Sequence, residues 1–221
     1  VWLYLKKPKF TFSKPQLIGG ISYALMVSGF ILANKLTTAA NAVVLQFTAP
    51  IWVAILGVWI LKEKIRLYDV ISIVIVSIGM VLFFLDDMGG GSLAGNIVAI
   101  LSGVALAGAT IAMRLQKDSS TVETTLLGHI ITIFIGLPFI FQANFTLQNI
   151  IGILLLGVFQ LGISYTLYAL AIKHLTSLEA ILIMFLEPIL NPIWVAVFYG
   201  EKPSLYSLIG GIIVLVTLAV R

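Results

Sequence analysis

Eight runs of about twenty almost uncharged residues dominate this sequence, and each is long enough to cross the hydrocarbon core of a bilayer as a helix. They cover Gln16–Leu36, Ala39–Leu61, Leu67–Leu85, Leu93–Leu115, Val122–Phe141, Ile150–Ile172, Leu178–Tyr199 and Ser204–Val220. Membrane strands would need alternating residues over about ten positions, and these runs are continuously apolar. The runs leave 60% of the 221 residues hydrophobic and 10% charged, against roughly half and a quarter in a soluble domain. A water-soluble fold of this size has no means of burying that surface. Soluble enzymes, nucleic-acid-binding modules and disordered chains are excluded, and lipid is the expected solvent. With no cysteine, a disulfide framework, a Cys-based metal site and a thiol nucleophile are excluded too.

The few charges orient the runs. Alternate joints hold Lys6, Lys7, Lys9 and Lys14, then Lys62, Lys64 and Arg66, then Arg114 and Lys117, then Lys173, then Arg221. That is 11 of the 13 basic residues; the other joints hold only Lys35 and Lys202. Basic loops stay in the cytoplasm, so the first set, and with it the C-terminus, is expected there. The net charge of +4 is thereby assigned to loops rather than to a nucleic-acid partner. Val1–Leu5 is apolar and runs into Lys6-Lys7 without an initiator Met. It reads as the end of a further helix, and the sequence as a fragment.

The chain repeats itself at an offset of 138 residues. Ala42, Phe47, Pro50, Ile51, Ile55, Glu63, Lys64, Leu67 and Tyr68 recur as Ala180, Phe185, Pro188, Ile189, Ile193, Glu201, Lys202, Leu205 and Tyr206. By the charge rule Glu63-Lys64 lies inside and Glu201-Lys202 outside, so the copies are inverted. Inversion requires an odd number of helices per copy. The second copy has five; the first has three and a stub, so about 45 residues, one helix and most of another, are expected upstream. The expected fold is an all-α integral membrane protein of two inverted five-helix repeats. That is ten helices when intact, and eight complete helices plus a stub here. Residues 1–86 form the first repeat, 87–92 a Gly-rich linker and 93–221 the second.

Inverted repeats are the usual build of secondary transporters, with the substrate site at the midplane near matched broken helices. Pro50 and Pro188 match, and Pro192 adds a second break; each removes a backbone donor and frees a carbonyl one turn earlier. With Glu63-Lys64, Leu186-Glu187-Pro188, Gly200-Glu201-Lys202 and Thr37-Thr38-Ala39 against Thr176-Ser177-Leu178, the whole chain resembles EamA-type members of the drug/metabolite transporter superfamily. One departure is Ala49, where the later copy has Glu187. The resemblance implies an exporter of small metabolites such as amino acids, working by alternating access in a bacterial inner membrane, as a monomer or homodimer.

Polar groups at membrane depth nominate the site. Glu187 lies mid-span, with Met184, Asn191 and Trp194 on the same helical face; it suits a proton or a substrate ammonium. Gln46 lies at the depth of Met184. Gln160, Ser164 and Tyr168 form a stripe, and Tyr23 holds the matching place in the first copy. His129 is a conceivable proton relay, though a His packed between helices is the plainer reading. No metal or cofactor is expected. Trp52 is left to cavity lining or packing. Gly103, Ala105, Ala107, Ala109 and Ala112 suit close packing of the fourth run. Glu63 and Glu201 are read as serving the N-terminus of the next helix, and Arg114 as snorkelling. A sugar-phosphate or nucleotide-sugar carrier would need deep Lys or Arg, and none is present. A membrane enzyme would need a matched acid and base, and a channel would show flux that does not saturate. Besides the bilayer, the expected partners are a small-molecule substrate and protons.

Overall fold

The computed structural model describes residues 10–118, 121–142, 146–190 and 204–220. All its regular elements there are helical. We label the spans α1 Lys14–Leu36, α2 Ala39–Leu61, α3 Leu67–Phe83, α4 Leu93–Leu115, α5 Thr121–Phe141, α6 Leu147–Ala171, α7 Ser177–Ile183 with its continuation over 186–190, and α8 Leu205–Val220. The starts follow from hydroxyl caps, because the first N–H groups of a helix have no partner within it. Ser13, Thr38, Ser92, Thr146 and Thr176 each accept a bond from a first-turn N–H. At α3 the cap comes from within the first turn: the Arg66 N–H donates to Asp69 Oδ2 at 2.8 Å.

Three spans are less regular than their apolar runs suggest. α2 is interrupted at Phe47-Thr48, just before Pro50, and its last turn, Gly57–Leu61, is a π-helix. α7 is interrupted at Met184-Phe185, just before Pro188. In α6, Leu156–Ile163 is π-helical, so the Ser164 N–H reaches the Phe159 carbonyl five residues back. Widened turns of this kind are frequent at functional sites.

Of the five longest spans, α4 is the most buried and α6 the least. α4 packs on α1 and α2, and α5 covers α1 from the other side. Small residues set the spacing, since lipid offers helices no hydrophobic drive to associate and close van der Waals contact must supply it. Ala107, Ala109 and Ala112 of α4 are buried. A Cβ on Gly103 would stand 2.5 Å from the Gln46 carbonyl oxygen.

The matched helices of the two copies meet directly and run antiparallel. Along α2 and α7, Phe47 meets Phe185 edge-on and Gly57 lies beside Ser177. Along α3 and α8, Gly79 meets Val214, and Phe83 meets Gly210 and Ser207. Phe47 and Phe185 hold the same place in the two copies, with ring centroids 4.5 Å apart. Equivalent positions touch in this way only where the axis relating the copies passes. The inverted repeat read from the charges is thus matched by the packing.

Alternate joints gather at opposite ends. At one end, Arg114 ties the α4 terminus to the joints after α2 and α6; this basic end also carries Lys62, Lys64, Lys117 and Lys173. At the other, Thr37 Oγ1 donates to Asn96 Oδ1 at 2.7 Å, and Asn41 Nδ2 to the Gly90 carbonyl at 3.2 Å.

Candidate functional site

A cavity of about 980 Å³ opens at the end opposite the basic one, at the upper limit of typical small-molecule sites. Thr38, Ala39, Phe84 and Asp87 stand at its mouth. Its walls descend along α1 (Met26, Phe30), α6 (Gln160, Tyr165, Tyr168) and α7 (Met184, Glu187), to a floor at Gln46 and Phe47. The two proline-linked interruptions thus bring α2 and α7 to the cavity floor. Proline leaves a carbonyl one turn earlier without its helical donor, so the irregular backbone at this depth borders a space rather than lipid.

Glu187 is exposed to this space. Gln160, from the π-helical stretch of α6, donates from Nε2 to its Oε1 at 3.3 Å. Tyr168 is held by Thr110 of α4, with 2.9 Å between the hydroxyls. Tyr165 donates to the Met26 sulfur at 3.6 Å and packs edge-on against Tyr23 at 4.8 Å. Gln46 is buried, and its amide is committed: Nε2 donates to Ser102 Oγ at 2.8 Å, which in turn donates to the Met26 carbonyl at 2.9 Å. This polar chain fixes α1, α2 and α4 relative to one another beside the floor.

The basic end is closed. Glu63 leaves the α2–α3 joint and turns to the other copy. Its carboxylate accepts from the Ser177 backbone N–H at 3.2 Å and from Ser177 Oγ at 2.5 Å. Arg114 Nε donates to the same carboxylate at 3.2 Å, while its Nη1 donates to the Ile172 and Lys173 carbonyls, each at 3.1 Å. A charged group on at least one side makes each of these bonds stronger than a neutral one. Between this cluster and the cavity floor lie Phe47, Phe185 and the buried Val53. A smaller pocket, of about 370 Å³, lies at the cluster itself, lined by Glu63 and Ser177 together with Ala54, Gly57, Lys64 and Glu179.

Comparison with known proteins agrees with this architecture. Residues 2–85 and 93–220 each match the model of the EamA-like transporter family. The chain belongs to the EamA-like transporter family. Among its relatives, "Uncharacterized transporter YxxF" of Bacillus subtilis (strain 168) is 28% identical over 191 residues, which are 83% of this chain and 61% of that protein. An "Uncharacterized transporter" of Clostridium kluyveri is 24% identical over 216 residues, 90% of this chain and 68% of that protein. The chain therefore spans about three-fifths to two-thirds of the length of these relatives. A solved crystal structure superimposes with a TM-score of 0.81 at 18% identity, over 96% of this chain and 79% of that one; the likeness establishes the fold.

Within this EamA fold, the sequence-nominated residues divide into three groups. Glu187, Gln160, Tyr168 and Gln46 lie together on the cavity, as do Met184, Ser164 and Pro188. His129 lies behind the wall: its Nε2 is 3.4 Å from Tyr23 Oη, and its ring packs edge-on against Tyr23. Pro50 is buried beneath the floor, and Trp52 packs into the core. Asn191, Pro192 and Trp194, with Glu201, lie outside the described residues. Among the described residues no group of three metal-ligating side chains comes together. Tyr165, Met26 and Phe30 were not singled out by sequence, since aromatic or apolar residues in apolar helices stand out from nothing, and Asp87 was read only as part of the linker. Two readings change: Glu63 serves α7 of the other copy, whereas α3 takes its cap from Asp69, and Arg114, rather than snorkelling, is bonded to Glu63 and to the Ile172 and Lys173 carbonyls.

Proposed function

We propose that this EamA-family protein is a secondary transporter that exports a small metabolite by alternating access, with Glu187 as the central substrate or proton site. One observation carries the reading: the large cavity opens at one end of the bundle, while contacts between the two inverted copies close the other. A channel would be continuous, and an enzyme has no need of matched ends. Basic loops face the cytoplasm, so the arrangement corresponds to an outward-open state in a bacterial inner membrane. The protein acts on an equilibrium between this state and its inverse, which differ in which end the two copies close. A proton and the substrate would occupy Glu187 in turn, coupling export to the proton gradient.

The absence of cysteine from these 221 residues makes the test direct. Val43→Cys lines the outer cavity, and Ala54→Cys lines the pocket at the basic end. A membrane-impermeant maleimide should label Val43→Cys in intact cells, and Ala54→Cys only slowly in inverted vesicles. Conditions that raise one rate should lower the other. Two rates that rise together would indicate a continuous pore and overturn the proposal.

A further inference from the structure

The charge and shape of the cavity narrow the substrate. Its described lining contains two carboxylates, Glu187 at depth and Asp87 at the mouth, and no Lys, Arg or His. Gln160 takes Glu187 Oε1, and among the described residues no protein donor is bonded to Oε2. An ammonium group, with its donors and no acceptor, completes that carboxylate. A substrate carboxylate would instead meet like charge in a space of low dielectric, without a cationic partner. Around Glu187 the walls are aromatic and soft: Phe30, Phe47, Tyr165 and Tyr168, with the sulfur of Met184. Aromatic faces attract cations and stack on flat apolar bodies, and thioethers adapt to ring edges. Tyr165 and Tyr168 are pinned from behind by Met26 and Thr110, so these faces are preorganised.

Resting on the transport reading above, we infer that the substrate is a monocationic amine with an aromatic-sized apolar body, and that zwitterions and anions of the same shape are discriminated against. The ammonium sits on Glu187 beside Gln160, and the body lies among Phe30, Phe47, Tyr165 and Tyr168.

Three probes sharing one phenyl ring decide the matter: phenethylamine, phenylalanine and 3-phenylpropionate, each measured as counterflow in proteoliposomes. Phenethylamine should show saturable flux, with kcat/KM at least about tenfold above phenylalanine because of the like-charge penalty, and 3-phenylpropionate should not move. Glu187→Gln should abolish phenethylamine flux, and Glu187→Asp should retain part of it. Phenylalanine moving as well as the amine would overturn the substrate class. So would full phenethylamine flux through Glu187→Gln. If none of the three probes moves while the Val43→Cys and Ala54→Cys labelling still alternates, the substrate class falls and the transport reading stands. If the labelling does not alternate either, both fall.

Discussion

The two ends of this bundle are built from the same repeated sequence and are in opposite conditions. At the basic end, Glu63 crosses to the second copy and collects two donors from Ser177 and one from Arg114. At the other end, the residue matching Ser177 is Ala39, which lines the mouth of an open cavity and has no hydroxyl to give. Thr38 matches Thr176, and each caps its own helix. The backbone arrangement is therefore shared, while the extra donor belongs to one end alone. A symmetric fold acquires a preferred state through such small differences, because each hydrogen bond to a charged group is worth about 1.5–3 kcal/mol. The comparison teaches that direction in an inverted repeat resides in side chains at the ends, whereas the axis and the helix packing are common property.

The largest expected effect falls on what both ends share. In Gly210→Val a Cβ would stand 2.4 Å from the Gly79 carbonyl oxygen and 2.5 Å from the Phe83 nitrogen. Backbone atoms in a close-packed pair of helices have little room to yield, and the loss should exceed about 3 kcal/mol. Folded, monodisperse protein should vanish from detergent extracts by size-exclusion chromatography; normal yield would mean that α3 and α8 separate freely. Glu63→Gln should affect one end only. It removes the charge that Arg114 and Ser177 address, and should speed labelling of Ala54→Cys about tenfold or more, in proportion to roughly 1.5 kcal/mol. Unchanged labelling would show that Phe47 and Phe185 close the end unaided. Smallest are the exchanges that trade the ends. Ser177→Ala should speed labelling at Ala54→Cys by about two- to fivefold, because it removes one of three donors to the Glu63 carboxylate and water can take its place. Ala39→Ser should slow labelling at Val43→Cys by less. Equal effects of both at either site would remove the asymmetry argued above.

Much of the fold was legible in the sequence because hydrophobic length is a direct physical requirement of the bilayer. The edges of Ala39–Leu61 and Leu93–Leu115 fall at the same residues in sequence and structure. The π-helical stretches at Gly57–Leu61 and Leu156–Ile163 were not legible, because a widened turn satisfies the same backbone groups with the same apolar residues. In the cavity, Glu187, Gln160 and Tyr168 stood out as polar groups at depth. Tyr165 and Phe47 did not, since an aromatic ring looks alike in a core and in a cavity wall. Glu63 shows the sharper limit. Its place at a helix end was visible, but which helix it serves depends on a contact 114 residues away, and local patterns carry no record of that.

The Phe47–Phe185 contact gives the bundle a fulcrum. A pair of equivalent residues on the axis keeps its separation when the copies rotate about it, while distances grow with reach along each arm. Gly57 lies ten residues along α2 from Phe47, about 15 Å at the helical rise. A rotation of about 15°, as between rigid subunits, would carry that end through about 4 Å, enough to part bonds of the length Glu63 makes. The two phenyl rings can therefore serve as the fixed point of a ruler, and spectroscopic pairs placed at increasing distance from them would read the stroke of the transporter directly.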